Sequence, residues 1–190
     1  MLQTTVSDRE LLEAARRGDE HAFALLHERY RHHVRRVALR ILGQHEDAED
    51  VCQEVFLRLY QRPPVLDGPQ ALRLWLTRVT TNLALNALRA QRRARFHWLR
   101  WFRLDWPRQQ AADADHTGTE TALLVRSVLE ELSERDRALL ALRSIGLTYD
   151  EIAQTLGLRP NSVGTLLARA ERRFRQRYEA LASRGKEVGS

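Results

Sequence analysis

The side chains best suited to chemistry in this sequence are the polar and basic groups that follow Pro160. Asn161, Ser162, Thr165, Arg169, Arg172 and Arg173 lie off an apolar stripe made by Val163, Leu167, Ala170 and Phe174. Amides and hydroxyls hydrogen-bond base edges or phosphates, and guanidinium groups neutralise phosphates. The elements that must position them begin upstream. Thr148 followed by Glu151 is a capping box; Tyr149, Ile152, Ala153 and Leu156 recur at helical spacing, and Gly157 ends that helix. Pro160 suits the first turn of the next helix, where its missing N–H loses no partner. Two helices joined by a short glycine-containing turn, the second basic on its outer face, form the pattern of a helix-turn-helix. The same residues also fit an ordinary helical hairpin with a solvated arginine face.

Catalytic patterns do not emerge elsewhere. The sequence contains no glycine-rich phosphate loop, no nucleophile elbow and no HExxH zinc signature. His32, His33, His45 and Cys52 invite a metal reading. Adjacent histidines, however, point to different faces of a helix, and Cys52 falls on the apolar stripe of Val51, Val55 and Leu59. A buried thiol and solvated histidines are expected, with no metal site. The carboxylates between 46 and 54 face no recognisable substrate pocket, so a protein-binding or solvated face is expected of them. No cofactor, no small-molecule substrate and no enzymatic activity are expected.

The net charge of +6 and isoelectric point near 10.3 favour a polyanionic partner, nucleic acid or an anionic membrane surface. Lys186 is the only lysine, so arginine carries the excess. Acidic residues gather at 8–28, 46–54 and 130–136, which concentrates the positive potential elsewhere. A single cysteine excludes an intrachain disulfide and fits a reducing compartment. The N-terminus lacks a signal-peptide pattern and no run is long and apolar enough to span a bilayer. A cytoplasmic location is therefore expected.

Almost the whole chain reads as helix. Ser7 and Glu10 form a capping box that opens the first helix. A longer helix runs from about Ala22 to Gly43, and another from about Glu46 to Tyr60, stopped by Arg62-Pro63-Pro64. A fourth is expected from Gln70 to about Arg93. From 96 the helical period is lost: the segment 96–108 is aromatic and basic, with Phe96, Trp98, Trp101, Phe102 and Trp106 among Arg100, Arg103 and Arg108. Its aromatics can pack back on protein, stack on unpaired bases, or lie on a membrane surface. The segment 111–120 is small, polar and acidic. The expected architecture is all-α, with helical domains at 1–95 and 120–182, a linker at 96–119 and a polar, frayed tail at 183–190.

Taken together, these segments resemble the extracytoplasmic-function (ECF) sigma factors of bacterial RNA polymerase. The stretch DAEDVCQEVFLRLY (47–60) is similar to their polymerase-docking helix, and LRLWLTRVTTNLALNALRAQRR (72–93) to the segment that reads and opens the −10 element. The stretch 132–170 is similar to their −35-reading domain. The first half thus resembles sigma region 2, a helical bundle, and the last third region 4, a helix-turn-helix domain.

The resemblance implies that Asp50, Gln53, Glu54 and Phe56 grip the coiled coil of the polymerase β′ clamp, with the β subunit as a further contact. It implies that the loop 63–70 and the helix after it face −10 DNA, where a non-template base is flipped into a pocket. Arg78, Asn82, Asn86, Arg89 and Arg92 are its candidates for that strand. Asn161, Ser162, Thr165, Arg169, Arg172 and Arg173 are the candidates for the −35 element. The family usually carries basic residues soon after the Ser-Val pair, where this chain has Gly164 and Leu166. Core RNA polymerase, promoter DNA and an anti-sigma factor are the implied partners. A stand-alone helix-turn-helix regulator that binds DNA without polymerase is the alternative.

Overall fold

The computed structural model describes residues 6–68, 70–101 and 120–188. In chain order the helices are α1 Asp8–Arg16, α2 Glu20–Leu42, α3 His45–Gln61, α4 Ala71–Trp101, α5 Glu120–Glu131, α6 Glu134–Ser144, α7 Tyr149–Leu156 and α8 Pro160–Val188. No strand occurs among the described residues. The all-α expectation holds. The chain divides into two compact units, Met1–Ala84 and Leu85–Ser190, and α4 contributes a half to each.

In the first unit α1 starts at the expected capping box: the Ser7 hydroxyl accepts from the Glu10 N–H, and the Glu10 carboxylate accepts from the Ser7 N–H at 2.9 Å. Those bonds hold the Glu10 carboxyl below the usual carboxylate range, the backbone N–H of Ser7 being the largest cause. Gly43 adopts φ 76° and closes α2, so that α3 can start two residues later. The core is built from Leu26, Val34, Val37 and Ile41 of α2 with Val51, Val55 and Leu59 of α3. Leu72 and Leu76 of α4 are buried as well. Each such side chain contributes about 1.5–3 kcal/mol of apolar burial. Thr77, Thr80 and Thr81 are also buried; their hydroxyls donate to the carbonyls of Arg73, Leu76 and Thr77 at 2.7–2.8 Å, which offsets their desolvation.

In the second unit α5, α6 and α7 all pack on α8. Val163, Leu167 and Ala170 of α8 are buried with Leu139 and Leu142 of α6 and Ile152 and Ala153 of α7. Phe174, expected on the same stripe, is half-buried and stacks on Tyr178. Ser133 caps α6 through the Asp136 N–H, Thr148 and Glu151 form the expected capping box, and Gly157 closes α7 at φ 64°.

Two expectations need correction. Helix α4 does not stop near Arg93 but continues to Trp101, past the expected start of the linker. No Gly or Pro interrupts 71–101, and its many Leu, Ala, Arg and Gln residues favour helix whether or not an apolar period is present. The expected tail is likewise helical as far as Val188, because Ala182, Arg184, Lys186 and Glu187 are good helix formers with one intervening glycine. Residues 102–119, including Phe102, Arg103, Trp106 and Arg108, lie outside the described residues.

Candidate polymerase-docking and promoter-reading surfaces

On α3 the buried stripe fixes what faces outward. Asp50 and Gln53 are exposed, and Glu54 is half-exposed with its carboxylate 2.6 Å from the Arg58 guanidinium. Phe56 is placed differently. It is only 6 % exposed, and its ring centroid lies 4.4 Å from that of His27, so it props α3 from beneath. Residues 46, 50, 53, 57 and 60 are spaced by four, three, four and three, which keeps them on one side of a helix. Glu46, Asp50, Gln53, Leu57 and Tyr60 are all exposed, Tyr60 at 62 %. The result is a stripe that is acidic at the start of α3 and apolar at its end. Leu57 and Tyr60 were missed by sequence reasoning, although continuing the helical spacing from Asp50 and Gln53 reaches both.

On α4, Arg78 and Asn82 of the first unit are exposed and one turn apart, while Trp75 is half-buried. In the second unit Asn86, Arg89 and Arg92 are also exposed, but they are engaged by protein. Arg89 donates from Nε to Glu134 at 2.8 Å and from Nη1 to the Asn86 amide oxygen at 2.9 Å. Arg92 Nη2 donates to the carbonyls of Leu132 at 2.9 Å and Glu130 at 3.3 Å. These carbonyls lie at the end of α5, where the last turn leaves acceptors without helical partners.

On α8, Asn161, Thr165, Arg169 and Arg172 are exposed and recur at intervals of four, four and three. They form a single outward stripe. Ser162 is turned back, its hydroxyl donating to the Arg159 carbonyl at 2.7 Å. Arg173 leaves the stripe too: its Nη1 reaches both oxygens of Asp136, at 2.8 and 2.9 Å, and that carboxylate is only 7 % exposed.

The chain matches the family model for Sigma-70 region 2 over residues 26–94 and that for Sigma-70 region 4 over 122–174. It is 32 % identical over 184 residues to the ECF RNA polymerase sigma factor SigE of Mycolicibacterium smegmatis, covering 90 % of this chain and 67 % of that one. It is 30 % identical over 176 residues to the RNA polymerase sigma-H factor of Pseudomonas aeruginosa, covering 88 % and 91 %. Among solved structures it is similar to CnrH in complex with the cytosolic domain of CnrY, with a TM-score of 0.63, 25 % identity, and 93 % and 97 % of the two chains covered. The chain belongs to the ECF sigma factors. It binds core RNA polymerase and directs promoter-specific initiation of transcription, with promoter DNA as the second partner.

In this sigma factor the helix-turn-helix carries an exposed aromatic ring at its start. Tyr149 keeps the helical spacing of the buried Ile152 and Ala153 but is itself 46 % exposed. The Arg143 guanidinium lies 5.4 Å from its ring centroid. A Cβ built at Gly164 would stand 3.4 Å from the edge of the same ring. That is ordinary contact distance, so the ring lies against α8 at Gly164, and Arg143 supplies a positive charge beside it.

The candidate metal ligands are dispersed. His33 Nε2 lies 2.8 Å from the Thr77 hydroxyl, and His45 Nδ1 lies 3.4 Å from Arg35. Cys52 is buried, and burial pushes its thiol up to about 11, with Glu49 adding to the shift. Among the described residues no group of three or more His, Cys, Asp or Glu is placed to hold a metal ion, and no helix is long and apolar enough to cross a membrane.

Proposed function

We propose that this sigma factor docks on core polymerase through the outward stripe of α3, with Asp50, Gln53 and Glu54 meeting a basic groove of the β′ clamp coiled coil and Leu57 and Tyr60 meeting its apolar margin. Phe56 acts from beneath by holding α3 in place. The observation that carries this reading is the unbroken outward line from Glu46 to Tyr60 above a fully apolar inner face. Charge complementarity of this kind selects partner and orientation more than it adds raw affinity.

Arg78, Asn82 and the loop 63–68 take the −10 strand. Asn161, Thr165, Arg169 and Arg172 take the −35 element, with Tyr149 and Arg143 flanking them. Tethering both contacts to one enzyme raises the effective concentration of the second, so weak individual contacts suffice. The protein acts in the cytoplasm as a dissociable specificity subunit without catalysis of its own. An anti-sigma factor is its regulator, in keeping with the similarity to CnrH, which was solved with the cytosolic domain of CnrY.

Reversing both charges, Asp50→Arg with Glu54→Arg, is expected to abolish capture of core polymerase while leaving the melting temperature within a few degrees. Undiminished capture would remove α3 as the docking element.

A further inference from the structure

The loop between α3 and α4 begins Arg62-Pro63-Pro64-Val65-Leu66-Asp67-Gly68. Neither proline has an N–H, and the residue before each proline is pushed toward extended backbone. The two prolines remove two backbone donors from the segment, and no hydrogen-bonded turn is observed at 63–67. A side chain from α1 bonds to the backbone of this stretch: Arg16 Nη2 donates to the Pro63 carbonyl at 3.0 Å and to the Pro64 carbonyl at 2.8 Å. One turn earlier on α1, Leu12 is buried with Leu11, which seats the helix. Asp8 ties the other end of α1 to α2 by accepting from Tyr30 and from Arg29, the latter at 2.5 Å. Directly after the two pinned carbonyls comes Val65, which is 88 % exposed. The loop thus offers an apolar side chain to solvent from a backbone pinned at its preceding residues.

We propose that Arg16 is a positioning residue for −10 recognition: its guanidinium holds the 63–68 loop in the conformation that receives an unstacked base, with Val65 as the apolar surface presented to that base. This rests on the assignment of the loop to −10 DNA made above. Arg16 itself does not touch DNA. Both bonds leave the one Nη2 nitrogen, whose two N–H groups are fixed in the guanidinium plane, whereas the N–H groups of a lysine ammonium rotate freely on a flexible stem.

The test is run-off transcription by core polymerase with full-length chain over promoters randomised in the −10 element, for Arg16→Ala, Arg16→Lys and Val65→Asp. Core binding and melting temperature are measured in parallel. Arg16→Ala is expected to bind core normally and to melt normally, yet to lose about five- to tenfold of its discrimination between the best and worst −10 bases, with Arg16→Lys in between. Val65→Asp is expected to alter the same preference. A −10 profile unchanged in both Arg16 variants but altered in Val65→Asp overturns the role of Arg16 and leaves the loop assignment standing. A profile unchanged in all three removes the loop assignment and the proposal with it. A uniform loss of transcription at every −10 sequence, accompanied by a lowered melting temperature, reduces Arg16 to a structural contact and also overturns it. Should Arg16→Ala fail to fold, Arg16→Lys read against these outcomes decides alone.

Discussion

The second unit carries two arginine-rich helical surfaces with opposite fates. In the second half of α4, Arg89 and Arg92 find a carboxylate and two carbonyls at the end of α5 within the protein. Along α8, Arg169 and Arg172 share an outward stripe with Asn161 and Thr165, while their neighbour Arg173 is drawn to the buried Asp136. Residue type is the same in each case. What differs is whether an internal acceptor lies within reach of the guanidinium, and that separates an arginine that stabilises from one that is presented to a partner.

The sharpest way to break the comparison is at Asp136. Asp136→Ala leaves Arg173 without its carboxylate; because the guanidinium is about half exposed (55 %), water replaces part of the bond. A loss of about 1–3 kcal/mol is expected, seen as a midpoint shift in chemical denaturation. An unchanged midpoint would return Arg173 to the outward set. Next in size is the contrast between Arg169→Ala and Arg173→Ala. The first should lower −35-dependent transcription about tenfold at unchanged stability, consistent with about 1–3 kcal/mol for a base-edge contact. The second should lower stability and leave the −35 preference as it was. Equal effects on promoter preference would erase the distinction.

A smaller effect is expected from Glu134→Gln, which releases Arg89. Exposed ion pairs are worth about 0–1 kcal/mol, so affinity of the free protein for single-stranded DNA should rise no more than about fivefold. The salt dependence should steepen by about 0.7 in slope, as for one added phosphate contact. No change in either would show that Arg89 is already available to nucleic acid. The smallest concerns Cys52, whose thiol titrates near 11 when folded against 9.0 ordinarily. The neutral thiol is the form the fold favours, so its contribution is present below pH 9 and declines as pH rises toward 11. Alkylation at pH 8 should be far slower in the native protein than in denaturant.

Local signals proved readable wherever one residue decides a backbone event. The capping boxes at Ser7 and Thr148, the left-handed closures at Gly43 and Gly157, and the start of α8 at Pro160 are all in their expected places. Signals resting on periodicity alone were less secure. Helical spacing groups Tyr149 with Ile152 and Ala153, yet a two-turn helix leaves its first residue beyond the packed face. Reading helix only as far as the apolar period runs ended α4 early, because backbone hydrogen bonding continues where no Gly or Pro interrupts it.

Sequence alone determined where the helices start and their caps, the sigma-type order of segments and the basic and acidic faces, because these depend on contacts within three or four residues along the chain. Only the tertiary structure decided that Phe56 faces inward, that Arg16 reaches across to the 63–64 carbonyls, and which arginines are consumed internally. Those outcomes join residues such as 16 with 64 or 136 with 173, and a long flexible side chain takes whichever acceptor packing brings near. No local rule encodes that choice.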